Sequence, residues 1–364
     1  MRVDVVDTVE GFDALAPEWR RAADASVDPN IFLTFEWLRT WWRHFGEPSA
    51  DARLHVVVVG DDQGIVAAAP LYEDTTGVGP VRGATLRQIG YDAGDYGGIL
   101  LLRRHDDAID ALLEHLADSI SGRVGSAVLS RLASDSVSLD RLRSGLARQP
   151  RLAVDEVVPD DSVCPFIDVS QGYDLVKPLR KNRVPQRLRR LGEKYDVAFT
   201  YHSGPDLEQG IAWLVELHKL RWADRPGEFQ GLLADPASEA FLLDAVRAID
   251  AADAGWLRLL TLTADGQPVA VRLDFDFGGR VYMLKNAIDP HFNAFGPGHI
   301  THARVLEDGM AQGMTEFDFL RGDHPYKRRW SNGERHLVTL NLSRPGLRGK
   351  VAEQRARVAR RLAR

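Results

Sequence analysis

The chain has 364 residues, 44% of them hydrophobic and 27% charged. Those are proportions of a globular protein, not a disordered or fibrous one, and the length suits two domains with ordinary cores. A formal net charge of −6 gives no general attraction to nucleic acid or anionic membrane, and the single cysteine, Cys164, excludes an internal disulfide and a cysteine-based zinc cluster.

The first residues, Met1-Arg2-Val3-Asp4-Val5-Val6-Asp7, carry acids where a signal peptide needs an apolar core. No apolar run approaches the roughly 18 residues that span a bilayer, so a cytoplasmic protein is expected. Residues 9–24 read as a helix. A helix dense in aromatics follows from Ile31 to Phe45, with Thr34 as its N-cap and Trp37, Trp41 and Phe45 at four-residue spacing. Leu54–Val59 and Ile65–Tyr72 form a hairpin around Gly60-Asp61-Asp62-Gln63-Gly64. A strand over 98–102, a helix over 106–119 and a strand over 126–132 come next, and the proline- and acid-rich stretch from Pro150 to Asp161 reads as a linker.

The stretch from Lys177 to Lys194 is strongly basic, with Val184, Leu188 and Leu191 as a helical apolar stripe. Helices are expected over 205–223 and 237–250. Then the order of the first half recurs. The hairpin 257–263 and 269–277 is followed by a strand over 281–288, a helix over 299–312 and a strand over 315–321. Two copies of one α+β unit are implied. The copies differ ahead of the helix: the first has Arg103-Arg104-His105-Asp106-Asp107 with no glycine, the second Phe295-Gly296-Pro297-Gly298. Only the second can bring bare backbone N–H groups against a phosphate at a helix N-terminus.

Strand 269–277 alternates, with Arg272, Asp274 and Asp276 on one face, where a carboxylate could hold an amine and take its proton. Glu316 and Asp318 offer the same on the next strand. Beyond it, Gly322 and Pro325 force a turn that presents Tyr326, able to protonate a departing thiolate, and Lys327, able to pair with a phosphate. His291, His299 and His302 lack a carboxylate at matching spacing, so no metal set is expected. Phosphate-loop, dinucleotide and serine-hydrolase motifs are absent.

Together the second hairpin, the Phe-Gly-Pro-Gly turn, the helix ending Gly309-Met310-Ala311-Gln312-Gly313, Phe317-Asp318-Phe319-Leu320-Arg321-Gly322-Asp323 and Tyr326-Lys327 resemble the GNAT superfamily. The closer likeness is to its two-domain, CelD-like cellulose-biosynthesis branch and to the related FemABX fold. It includes Phe35-Glu36-Trp37-Leu38, Asp92 to Tyr96, and Leu217-His218-Lys219-Leu220-Arg221-Trp222. The resemblance implies two tandem GNAT-like domains, residues 1–155 and 156–345, with a basic helical tail over 346–364 and a degenerate N-terminal copy. It further implies that acetyl-CoA or another acyl-CoA lies against Phe295, Gly296, Gly298, His299, Ile300, Thr301 and Lys327, its pantetheine arm along Leu284, Lys285 and Asn286. Tyr326 would be the acid and Asp274, Asp276, Asp318 or a water the base, with Asp95, Tyr96, Arg221, Trp222, Asp276, Arg321 and Asp323 on the acceptor side.

The expected activity is transfer of an acyl group, acetyl first, to the amine of a small molecule such as an amino sugar, by direct attack on the thioester in a monomer or homodimer. The alternatives are FemABX-like transfer from an aminoacyl-tRNA, with the basic helix meeting RNA phosphates, and a non-catalytic GNAT pair whose basic helix and Arg344–Arg364 tail contact an acidic partner.

Overall fold

The computed structural model describes residues 1–76, 83–102, 105, 107–222, 233, 235–252 and 254–346. The tail beyond residue 346, and Arg103, Arg104 and Asp106 of the first copy's helix approach, lie outside the described residues. Two compact units are present: residues 1–162 with those from 335 onward, and residues 163–334.

In the first unit the elements run β1 (Arg2–Val6), α1 (Val9–Ala14), α2 (Ala16–Asp24), α3 (Phe35–Trp41), β2 (Ala52–Leu54), β3 (Val56–Asp61), β4 (Gly64–Ala69), β5 (Leu71–Thr76), β6 (Gly83–Gln88), β7 (Leu100–Leu101), α4 (Asp107–Ser121), β8 (Val124–Ala133), α5 (Val137–Arg148) and β9 (Ala153–Val157). The helix expected over 9–24 breaks at Leu15, because Pro17 supplies no N–H and is tolerated only at a helix start. Thr34 stands at the N-cap of α3, yet its hydroxyl donates back to the Ile31 carbonyl at 2.7 Å. Trp37, Trp41 and Trp42 are buried in the core.

Two sheets result. One has the order β1-β3-β4-β7; the other runs β2-β5-β6-β8, then the strand Leu337–Ser343, then β9. Pro70 marks the break where the chain passes from β4 in one sheet to β5 in the other. The inner face of α4, including Leu112, Leu113, Leu116 and Ile120, packs on Val57, Leu86, Ala127 and Leu340.

Two sequence expectations change here. The supposed linker contains β9, an edge strand whose alternation is masked by its acids. Leu337–Ser343 does not belong to the second domain: it pairs antiparallel with both β8 and β9, closing the first unit's sheet with the chain's last described strand.

In the second unit come β10 (Cys164–Asp168), α6 (Val176–Lys181), α7 (Val184–Gly192), β11 (Val197–His202), α8 (Leu207–Trp222), α9 (Pro236–Ala251), β12 (Leu257–Ala264), β13 (Gln267–Phe277), β14 (Arg280–Ile288), a 3-10 turn over Pro290–Phe295, α10 (Pro297–Ala311), β15 (Glu316–Asp318), α11 (Pro325–Arg328) and β16 (Gly333–Arg335). They form one sheet of order β11-β12-β13-β14-β15-β10-β16. Helices α8 and α10 both pack on β13. Pro268 through Phe275 are therefore all buried, and the polar stripe of Arg272 and Asp274 is internal rather than solvated.

The duplication holds at the level of topology, with one reassignment. β14 is antiparallel to β13 and parallel to β15; in the first unit β6 is antiparallel to β5 and parallel to β8. The counterpart of β14 is thus β6, not the strand expected over 98–102. Of that stretch Leu100 and Leu101 pair with the edge of β4, and Leu102 bridges to Ser26.

Candidate active site

Strands β14 and β15 run side by side only where Arg280–Tyr282 meet Glu316–Asp318. Beyond Tyr282, β14 continues to Ile288 along β13, and its other edge faces no strand among the described residues. Two local features open this gap. Leu273 pairs with Lys285 and Asp274 with Met283, which leaves Leu284 as an extra residue, a bulge that bends β14. On the other side, the Asp318 carboxylate accepts from the Leu320 N–H at 2.7 Å, and Leu320 takes φ 59, turning the chain out of line after β15. A thin amide-bearing arm can lie along such a free edge as an added strand would.

At the far end of the gap stands the N-terminus of α10. Gly296 has φ 60 and Pro297 occupies the first turn. The His299 N–H returns to the Gly296 carbonyl at 3.0 Å, while the Gly298 N–H has no backbone acceptor among the described residues. A Cβ on Gly296 would overlap the Arg187 guanidinium, so glycine is needed both for the left-handed backbone and for Arg187 to lie across the turn. Arg187, from α7, is held by Nε donating to the Asn182 carbonyl at 3.0 Å. Arg190 and Lys194 sit over the Phe295 ring at 5.8 and 5.6 Å. His299 stacks on Trp330, and burial together with Arg187 and Arg329 lowers its pKa, so it is neutral at pH 7. The result is a cationic corner beside the Gly298 N–H, which suits a phosphate. Its guanidinium could not be read from sequence, because Arg187 reaches Gly296 from a helix more than a hundred residues earlier.

Beneath the gap lies a closed polar cluster. Arg272 grips Asp274 with two bonds, 2.6 Å from Nε and 2.9 Å from Nη2, and its Nη1 lies 2.7 Å from His302 Nδ1. All three side chains are buried, with Arg272 stacked on Phe317 and His302 edge-on to Trp330 at 4.4 Å. Since an arginine only donates, His302 Nδ1 must accept, which places the ring proton on Nε2. Burial and the facing Arg272 push the His302 pKa well down. Tyr326 is 41% exposed. Burial around its hydroxyl raises its pKa, against the opposing pull of Arg272 and Arg221, so the phenol stays protonated at neutral pH. His324 stacks on it at 6.0 Å and is kept neutral chiefly by burial, then by Lys327. Arg221, at the end of α8, donates to the Asn286 carbonyl at 3.1 Å and lies over Trp222.

Residues 179–328 match the family model of the acetyltransferase (GNAT) domain. The second unit carries a GNAT domain. No curated protein matches the chain in sequence. Among solved structures, FemX superposes with a TM-score of 0.63 at 12% identity, over 93% of this chain and 97% of its own. A conserved protein of unknown function from Bacteroides thetaiotaomicron superposes with a TM-score of 0.56 at 13% identity, over 94% of this chain and all of its own. Such likeness concerns the fold, and it extends across both units: the chain has a two-domain GNAT-like fold similar to that of FemX.

Several site expectations need correction within this GNAT frame. Asp274 and Asp318 are both fully buried, one locked to Arg272 and the other to the Leu320 N–H, so neither presents a carboxylate to a substrate. Lys327 turns inward and donates to the Leu320 and Arg321 carbonyls at 3.1 and 2.7 Å, instead of facing a phosphate. The Thr301 hydroxyl bonds back to the Pro297 carbonyl at 3.2 Å, and Ile300 is core. Asp276 is paired with Arg258, and Asp323 with Arg328, which lowers its pKa. Leu284, Lys285 and Asn286 are half-buried on the free edge of β14, and the Asn286 Oδ1 has no partner among the described residues. Arg321 is half-buried in the turn after β15. Asp95 and Tyr96 belong to the first unit, where Tyr96 is buried.

The first unit's own strand gap is filled by its own chain. Beyond the β6–β8 pairing, the Gly97 N–H donates to the Arg131 carbonyl at 3.0 Å. Gln88 accepts from the Ser130 N–H and donates to the Gly98 carbonyl, both at 2.6 Å. A Cβ on Gly97 would overlap the Ser130 carbonyl oxygen. This insertion takes up strand-edge groups of β8 at Ser130 and Arg131.

Proposed function

We propose that the protein is an acyl-CoA-dependent N-acyltransferase, moving an acyl group, acetyl in the simplest case, to the amine of a small molecule such as an amino sugar. The observation that carries this reading is the parting of β14 from β15, with the Gly296–Gly298 turn and Arg187 at its end. The pyrophosphate rests on the Gly298 N–H and Arg187, and the pantetheine arm runs along Leu284 to Asn286. The amine attacks the thioester carbonyl; the C–N bond forms and the C–S bond breaks without a covalent enzyme intermediate. Tyr326 gives its proton to the leaving thiolate. Neutral His324, stacked beside it, takes the proton lost by the amine. No helix among the described residues is long and apolar enough to cross a membrane, and the reading needs none.

Titration calorimetry with acetyl-CoA and longer acyl-CoAs tests the donor; absence of binding to all of them refutes the reading. Aminoacyl transfer from charged tRNA is the second reading, favoured by the FemX-like fold and the basic α6–α7 segment. Activity that survives ribonuclease treatment argues against it.

A further inference from the structure

We propose that the basic face of α6 and α7 is a docking surface for an acidic carrier protein that presents the acyl group on a phosphopantetheine arm. This deepens the acyl-thioester reading and rests on it. Transfer from such a donor forms the same C–N bond, breaks the carrier's C–S bond and releases the carrier thiol.

Exposed arginines elsewhere in this chain are largely neutralised. Arg143 holds Glu156, Arg151 holds Glu114 and Asp118, Arg247 holds Glu208, and Arg328 holds Asp323. On α6 and α7 the pattern reverses. Lys177, Arg180, Lys181, Arg183, Arg190 and Lys194 are all exposed, and none makes an ion pair among the described residues; the pair there is Arg189 with Glu193 at 3.5 Å. Six uncompensated cations in a chain of net charge −6 form a concentrated field. The face is continuous with the phosphate corner, since Arg187 crosses Gly296 while Arg190 and Lys194 cover Phe295.

A free nucleotide cofactor can engage the cations beside the turn. Lys177, Arg180 and Lys181 stand on the preceding helix and extend the field away from it. The stretch 176–194 contains no aromatic residue or histidine, so it lacks the stacking platform that single-stranded RNA recognition uses. An RNA-borne ester also carries no thin amide arm to fill the β14 edge. The apolar side of α7, Val184 and Leu191, is packed into the cores and cannot insert into lipid. An acidic protein surface with a thioester on a phosphopantetheine arm matches the field, the phosphate corner and the narrow gap together.

The test compares acetyl-CoA with a purified acetylated acyl carrier protein as donors, using wild type and the triple variant Lys177→Glu/Arg180→Glu/Lys181→Glu. The expected result is a tenfold or greater fall in kcat/KM for the carrier protein, with acetyl-CoA kinetics and Tm unchanged. Equal loss with both donors, or no loss with the carrier protein, overturns the proposal. Direct binding by fluorescence anisotropy runs in parallel, with a labelled carrier protein, a tRNA and phosphatidylglycerol vesicles. Saturable carrier binding that the triple variant abolishes supports the docking face even if neither donor is turned over, a result that would count against the acyltransferase reading alone. Tighter binding of tRNA or vesicles than of carrier protein refutes it.

Discussion

Replacing Asp274 by Asn separates a structural carboxylate from a catalytic one. Asp274 and Arg272 are 0% and 1% exposed in their side chains and joined at 2.6 Å, so the substitution leaves a guanidinium buried against a neutral amide. Breaking one partner of a buried pair costs about 3–5 kcal/mol. For a unit of the size of residues 163–334, each kcal/mol lowers Tm by about 2–4 °C, giving a fall of roughly 6–20 °C. The double change Arg272→Met/Asp274→Leu removes both charges and is expected to recover most of that loss. Differential scanning calorimetry and urea unfolding report it. An Asp274→Asn protein with unchanged Tm and abolished turnover would refute the structural role and restore Asp274 as the base.

Other outcomes follow from named contacts. Tyr326→Phe should lower kcat ten- to a hundredfold while leaving the acyl-CoA Kd within twofold, read by steady-state kinetics and calorimetry. Gly97→Ala drives a methyl into the Ser130 carbonyl and should destabilise the first unit by roughly 1–3 kcal/mol, seen as a lower urea midpoint. In the first unit, His55 Nε2 lies 3.1 Å from His115 Nε2, with Glu73, Arg123, Ser119 and Asp7 around them. Burial, then His115 and Arg123, bring the His55 pKa down to about 4. Because the folded value lies below the unfolded one, the unfolded chain binds the proton first. Stability is full above about pH 6.5, declines by roughly 3 kcal/mol as pH falls toward 4, and levels off below. Tm measured from pH 8 to 4 should show this slope, flattened in His55→Phe.

The second hairpin, the glycine turn and α10 were legible in sequence because each has a local signature: turn residues, alternation, or glycine ahead of a helical stripe. What escaped was set by distant partners. Asp274 reads as a polar face residue until α8 and α10 close over both sides of β13. Lys327 reads as a surface cation until its ammonium is seen capping two carbonyls. Residues 83–88 carry too little alternation to mark β6, and nothing near Leu337 announces that it returns to β8 across two hundred residues. Arg187 was visible as one charge in a basic run; its place over Gly296 is a product of the fold.

The most direct test is calorimetric titration of acetyl-CoA into wild type, Gly298→Val and Arg187→Ala. A Cβ on Gly298 comes within 3.1 Å of the Asn286 amide nitrogen, and loss of a charge-assisted bond to phosphate costs about 1.5–3 kcal/mol. The account predicts one acetyl-CoA bound per chain, a tenfold or greater rise in Kd for Arg187→Ala, and no detectable binding to Gly298→Val. Two molecules bound per chain, or a Kd indifferent to both substitutions, would contradict it.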